Sequence, residues 1–185
     1  MKKYIYMILI AILCYFIGES IYQEMTRDKT PGKAKRIECQ REVTTFEREY
    51  DKKQILSFQQ SIQNGKINLS ADIEKAKYSQ STLMEYISLA ETNKAVTDAL
   101  LKYKTDTSNN DNEEYKIDYY IYENDENDPG KKSKKSKNYA GYILMEIKNQ
   151  DNKLIYKIQI DFMNKKGLDI NKTIQCAVES VMSIK

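Results

Sequence analysis

Three segments in the second half of the chain alternate apolar and polar residues, and this pattern constrains the fold more than any other. They span residues 115–123, 139–148 and 154–163 and are rich in β-branched and aromatic residues. Because successive side chains of a strand point to opposite faces of a sheet, the alternation predicts strands with one buried face. The polar connection 149–153 is short enough for a hairpin. We therefore predict a three-stranded antiparallel meander with these residues on its buried face: Tyr115, Ile117, Tyr119, Ile121, Ile143, Met145, Ile147, Leu154, Tyr156, Ile158, Ile160 and Phe162.

Apolar residues recur at helical spacing in three other segments. This spacing predicts helices at 40–64, 70–103 and 169–184, with Ser70 and Asp169 as N-caps of the last two. A chain of 185 residues has room for one core. The predicted fold class is α+β, with two helices, the three-stranded meander and a C-terminal helix, the helices packing on one face of the sheet.

The first twenty residues combine a basic start with an apolar run. Lys2 and Lys3 precede an uninterrupted apolar segment at residues 4–17. This segment is shorter than the roughly 20 residues that a membrane-spanning helix needs, and its length is typical of the core of a signal peptide. Flanking tyrosines suit headgroup depth, so a tilted anchor over residues 4–22 also fits the sequence. A cleaved signal peptide and a membrane anchor both remain open.

The N-terminal pattern also predicts the organisation and location of the chain. Residues 1–20 are expected to be the signal peptide or membrane anchor, residues 21–39 a polar linker, and residues 40–185 a single domain. A very short N-terminal tail normally stays in the cytoplasm while the remainder is exported. We therefore expect an extracytoplasmic domain, either periplasmic or at the cell surface.

Several common chemistries lack their residues in this sequence. The chain has no histidine, which removes serine–histidine–aspartate and cysteine–histidine catalysis and histidine-based zinc sites. Three cysteines cannot form a four-cysteine metal site, and the six glycines form no phosphate-binding loop. The net charge of +3 is too balanced to indicate a nucleic-acid partner. We therefore predict no catalytic residues, no cofactor and no metal site.

Cys39 and Cys176 lie near the two ends of the predicted domain. In an oxidising compartment such a pair is expected to form a disulfide, whereas a reducing compartment would leave two half-buried thiols. In the chain-entropy model, a disulfide that closes so long a loop stabilises the fold by several kcal/mol.

A lysine-rich segment follows the first predicted strand. Lys131, Lys132, Lys134, Lys135 and Lys137 could contact anionic lipid headgroups. The alternative is a solvated loop that keeps the strand edges soluble.

Fifteen tyrosines against four phenylalanines make tyrosine the dominant aromatic residue. Alternation places Tyr120, Tyr122 and Tyr142 on the face of the meander opposite the helices. Tyrosine is favoured in binding surfaces because it offers a large area with few rotatable bonds and a polar tip. These tyrosines are therefore candidate partner-binding residues, although they could also simply shield the sheet from solvent.

The sequence favours a membrane-tethered or exported interaction protein without enzymatic activity, with a protein partner of unknown identity. It could be a component of a surface or secretion apparatus or a neutralising binder. The alternative is a cytoplasm-facing, membrane-anchored module that binds anionic lipid through Lys131–Lys137. An exported hydrolase that uses two carboxylates ranks third.

Overall fold

The structure, a computed structural model, describes residues 37–105, 114–131 and 139–185. The chain from Ile37 to Lys185 forms one compact unit. Its described elements are five strands and three α-helices, in the order β1-α1-β2-α2-β3-β4-β5-α3. Their bounds are β1 Thr45–Glu49, α1 Lys52–Gln63, β2 Leu69–Glu74, α2 Leu89–Leu101, β3 Lys116–Glu123, β4 Gly141–Lys148, β5 Leu154–Phe162 and α3 Ile170–Met182, with 3-10 turns at Glu38–Arg41 and Leu83–Glu85.

The strands form one mixed sheet in the order β1-β5-β4-β3-β2. β3, β4 and β5 run antiparallel to one another in succession, and β1 pairs antiparallel with β5. β2 pairs parallel with β3, with Ile73 opposite Ile121. The α+β class is therefore confirmed, but the prediction of a three-stranded, wholly antiparallel sheet is wrong, because β1 and β2 extend it at both edges.

Both predicted N-terminal helices were wrong in their first part. The segment predicted as helix 40–64 contains β1 before α1, and the segment predicted as helix 70–103 opens with β2. Ser70, the predicted cap, lies inside β2. Short segments of mixed polarity fit both helical and strand periods, and the neighbouring strand decides between them by supplying backbone hydrogen bonds.

The true starts of α1 and α2 carry their own capping residues. The Asp51 carboxylate accepts a hydrogen bond from the backbone N–H of Gln54 at 3.1 Å. Ser88 and Glu91 form a reciprocal capping box at the start of α2. These local signals, rather than the apolar stripe, fix where the two helices begin.

A single core lies between the helices and one face of the sheet, which we call the inner face. Tyr115, Ile117, Tyr119 and Ile121 are all buried there, as the alternation predicts. α3 contributes a buried apolar stripe that includes Ile174, Ala177, Val178 and Val181.

Asp169 precedes α3 but does not cap it. Its carboxylate accepts hydrogen bonds from the backbone N–H groups of Met163, at 2.7 Å, and Asn164, at 3.2 Å. No side-chain capping bond to the helix is present at Asp169. Asp169 therefore fixes the turn between β5 and α3, which corrects the predicted role.

The 3-10 turn Glu38–Arg41 is linked to α3 through a cysteine pair and through polar contacts. The sulfurs of Cys39 and Cys176 lie at disulfide-bonding distance, and their Cα atoms are 5.7 Å apart. Next to Cys39, the buried Gln40 amide donates hydrogen bonds to Ser180 Oγ, at 2.6 Å, and to the Glu47 carboxylate, at 3.0 Å. The predicted proximity of the two cysteines is thus confirmed, and polar contacts with α3 and β1 reinforce it.

Among the described residues, no helix combines the length and the apolar character needed to cross a membrane. The predicted signal or anchor segment 1–20 and residues 21–36 of the predicted linker lie outside the described residues.

Candidate functional site

The sheet face opposite the helices, which we call the outer face, carries the predicted tyrosines. Tyr120 and Tyr122 on β3 and Tyr142 on β4 are half-buried, whereas Tyr119 and Ile121 between them are buried in the core. We call Tyr120, Tyr122 and Tyr142 the tyrosine cluster. The structure thus brings all three candidate partner-binding residues onto one surface.

The tyrosine cluster is an ordered aromatic surface. The rings of Tyr122 and Tyr142 stack with centroids 4.6 Å apart, and Tyr120 meets Tyr142 edge to face at 6.0 Å. The hydroxyl oxygens of Tyr120 and Tyr142 are 3.4 Å apart. Burial and the neighbouring Tyr120, Tyr122 and Glu74 raise the pKa of Tyr142 well above its usual value. Tyr142 therefore stays neutral at physiological pH, and the cluster presents ring faces and hydroxyl groups.

Lys131 closes one end of the cluster. Its ammonium lies 5.3 Å from the ring centroid of Tyr122 and 5.6 Å from that of Tyr139. It donates hydrogen bonds to the Tyr122 hydroxyl, at 3.3 Å, and to Asn124 Oδ1. Lys131 is thus engaged with its own domain. The other lysines predicted to face an anionic surface, Lys132, Lys134, Lys135 and Lys137, lie outside the described residues.

A row of ion pairs, which we call the charged ladder, crosses the outer face beside the tyrosine cluster. Asp118 lies 2.8 Å from Lys116 Nζ and 2.9 Å from Lys148 Nζ, and Glu146 lies 2.8 Å from Lys157 Nζ. Burial raises the pKa of Asp118, but the hydrogen bonds and charges of the two lysines outweigh it and leave the pKa below its usual value. Asp118 is therefore ionised, and lysines already form ion pairs with both Asp118 and Glu146.

A groove of about 420 Å³ opens between this ladder and the edge strand β2. Its lining includes Asp72 and Glu74 from β2 and Tyr120 from β3. The register places Asp72 directly opposite Tyr120, and Glu74 opposite Tyr122. The groove therefore continues the tyrosine cluster toward the sheet edge.

Asp72 and Glu74 were not predicted as site residues, because their segment was predicted as helical. A signal was present, since Leu69, Ala71 and Ile73 alternate with polar residues over six positions. Strict alternation of that length is the pattern of a half-exposed strand.

Two buried acids at the end of β3 perform a structural task. The Glu123 carboxylate accepts hydrogen bonds from the backbone N–H groups of Ala76, Thr82 and Leu83 at 2.9–3.1 Å. The Asp125 carboxylate accepts hydrogen bonds from the Lys77 N–H and the Ser79 hydroxyl, each at 2.6 Å. These two side chains hold the loop between β2 and α2 by accepting hydrogen bonds from its backbone N–H groups and from the Ser79 hydroxyl.

Across residues 37–105, 114–131 and 139–185, no group of three acidic or cysteine side chains is arranged to hold a metal ion. The chain matches no protein-family model, no curated protein and no solved structure.

Proposed function

We propose that this chain is a membrane-tethered or exported interaction protein that binds a protein partner through the outer face of its sheet. One observation carries the proposal: three packed, half-exposed tyrosines lie together on a sheet face that the described helices leave open. Pre-ordered aromatic rings lose little entropy on binding, and tyrosine is enriched where partners make close contact.

The proximity of Cys39 and Cys176 supports the export part of the proposal. Disulfides persist in oxidising compartments and are rare in the cytosol. The pair also joins the turn Glu38–Arg41 to α3, so a disulfide would fix the part of the domain nearest the predicted linker.

The experiment compares two matched variants of the full chain, expressed in the cells from which the sequence comes. Tyr120→Ser/Tyr122→Ser removes rings from the cluster. Tyr78→Ser/Tyr86→Ser makes the same chemical change at two exposed tyrosines outside the sheet. Proteins that co-purify after cross-linking and detergent extraction are quantified by mass spectrometry.

We expect one or more proteins to co-purify with the wild type and the Tyr78/Tyr86 variant and to be lost from the Tyr120/Tyr122 variant. The expected loss of binding free energy is roughly 1–4 kcal/mol, the range for interface anchors. Equal recovery with both variants would show that the outer face binds no protein partner.

A further inference from the structure

We propose that the groove beside the tyrosine cluster binds a lysine or arginine side chain of the partner protein, an inference that rests on the proposed function. The groove belongs to the outer face, so a partner seated on the tyrosine cluster would cover it. Its chemistry indicates which residues that partner presents.

The charge around the groove is uneven. Its lining carries four carboxylates, those of Asp72, Glu74, Asp118 and Glu146, and one lysine, Lys116. Lys116 and Lys148 compensate Asp118, and Lys157 compensates Glu146. The excess negative charge therefore lies on β2, at Asp72 and Glu74.

The two β2 carboxylates have little cationic compensation. One oxygen of Asp72 accepts a hydrogen bond from the backbone N–H of Ile73 at 2.7 Å, and no lysine or arginine in the described part of the chain forms an ion pair with Asp72. Glu74 lies 3.8 Å from Lys77 Nζ, and the two side chains are 50% and 75% exposed, respectively. An exposed pair at that distance contributes little. A cation from a partner would supply the missing positive charge.

The same outer face already holds an ammonium at its other end. Lys131 places its Nζ over the rings of Tyr122 and Tyr139 and against the Tyr122 hydroxyl. Tyr120 offers the groove an equivalent ring, with Asp72 opposite it in register. An aromatic face beside a carboxylate attracts a cation both through the ring quadrupole and through charge. A basic side chain over Tyr120 would therefore reproduce the Lys131 contact with a stronger counter-charge.

The test uses full-length protein in detergent and a fluorescent penta-arginine peptide as the probe, with binding measured by anisotropy at low salt. Asp72→Asn/Glu74→Gln removes the two weakly compensated charges with almost no change of shape. Glu38→Gln/Glu85→Gln removes the same charge at exposed positions outside the groove, so it reports the effect of net charge alone.

We expect Asp72→Asn/Glu74→Gln to weaken peptide binding about tenfold or more, whereas the control double variant changes it less than about twofold. Tyr120→Leu should also weaken binding, and Tyr120→Phe, which keeps a ring, should retain it. Equal losses in both charge variants would reveal general electrostatic attraction and overturn the inference. Unmeasurable binding to the wild type, or binding unaffected by the groove variant, would overturn it as well.

Failure of this inference is distinguishable from failure of the proposed function. If the co-purifying protein is lost with Tyr120→Ser/Tyr122→Ser but retained with Asp72→Asn/Glu74→Gln, the outer face binds a partner that is not recognised by a basic side chain. If penta-arginine binds in the groove but no co-purifying protein depends on the tyrosines, the protein-binding proposal itself fails.

Discussion

The ring of Tyr122 stacks on the ring of Tyr142 across the β3–β4 pair, with centroids 4.6 Å apart and planes 23° apart. The two residues are directly opposite in the strand register. Directly opposed residues are close enough for their side chains to pack, and aromatic pairs add stability beyond their buried area. The stack therefore fixes the shape of the candidate binding surface and also contributes to the stability of the domain.

Replacing Tyr122 by serine should lower the free energy of unfolding by roughly 1–2 kcal/mol, because the stack and the contact with Lys131 are both lost. Tyr78→Ser, at a largely exposed ring, should change it by less than about 0.5 kcal/mol. Urea denaturation of the two variants measures the difference. Equal stabilities would mean that the Tyr122 stack adds nothing to folding.

Oxidation of Cys39 and Cys176 should be detectable as a cross-linked peptide in non-reduced protein from cells. The Cα atoms are 5.7 Å apart, within the usual range for a disulfide. Cys39→Ser/Cys176→Ser should then destabilise the domain by about 2–4 kcal/mol, because the bond closes a loop with a sequence separation of 137. Alkylation of both Cys39 and Cys176 in freshly extracted, non-reduced protein would contradict both the bond and the extracytoplasmic location.

Stability should fall in acid because Glu123 and Asp125 are held ionised. Burial raises the pKa of each carboxyl, but polar neighbours outweigh burial. The Ser81 hydroxyl and the backbone N–H groups that face it lower the pKa of Glu123, and hydrogen bonds from Ser79 and the backbone lower the pKa of Asp125 to about 2. A pKa that is lower in the folded state contributes stability above the unfolded-state value, near pH 4, and this contribution is lost as pH falls through the folded-state value.

Glu123→Gln isolates this effect. It should cost about 1–3 kcal/mol at pH 7, since a neutral amide accepts the three backbone hydrogen bonds less well, and it should flatten the dependence of stability on pH below about 4. Asp161, whose pKa is raised by burial, acts in the opposite sense but is present in both proteins. Glu85→Gln, an exposed change, serves as the control in thermal melts across this range. A Glu123→Gln melt that keeps the pH dependence of the wild type would rule out this role.

Gly141→Ala should destabilise the domain by about 1–3 kcal/mol or more. A methyl group at Gly141 would overlap the Tyr122 carbonyl oxygen and the Phe162 ring, both fixed within the sheet. At Gly130 the nearest group is the Asp128 carboxylate, so Gly130→Ala should be nearly neutral. Chemical denaturation compares the two variants, and similar midpoints would show that the β3–β4 pair tolerates a side chain at Gly141.

Much of the site could be predicted because its information is local. The alternation along residues 115–123 separates Tyr120 and Tyr122 from Tyr119 and Ile121, and the same rule places Tyr142 with them. The geometry among these rings could not be predicted, since stacking depends on strand register and on how far each ring is buried. The groove could not be predicted either, because Asp72 and Glu74 reach it only when their segment pairs with β3.

The sequence by itself determined the three central strands, the helix at the C-terminus and most of their core-facing residues, because a period of two or of 3.6 is visible in consecutive side chains. Leu154 and Ile155 are exceptions: Ile155 is buried in place of Leu154, next to a shift in the β4–β5 register. Only the tertiary structure decided that Thr45–Glu49 and Leu69–Glu74 are strands. These segments are short, lie at the sheet edges and obtain their hydrogen bonds from partners distant in sequence, β5 for the first and β3 for the second. Backbone pairing between distant segments is a property of the whole fold. The pairing of β2 with β3 also places Asp72 and Glu74 beside the tyrosine cluster.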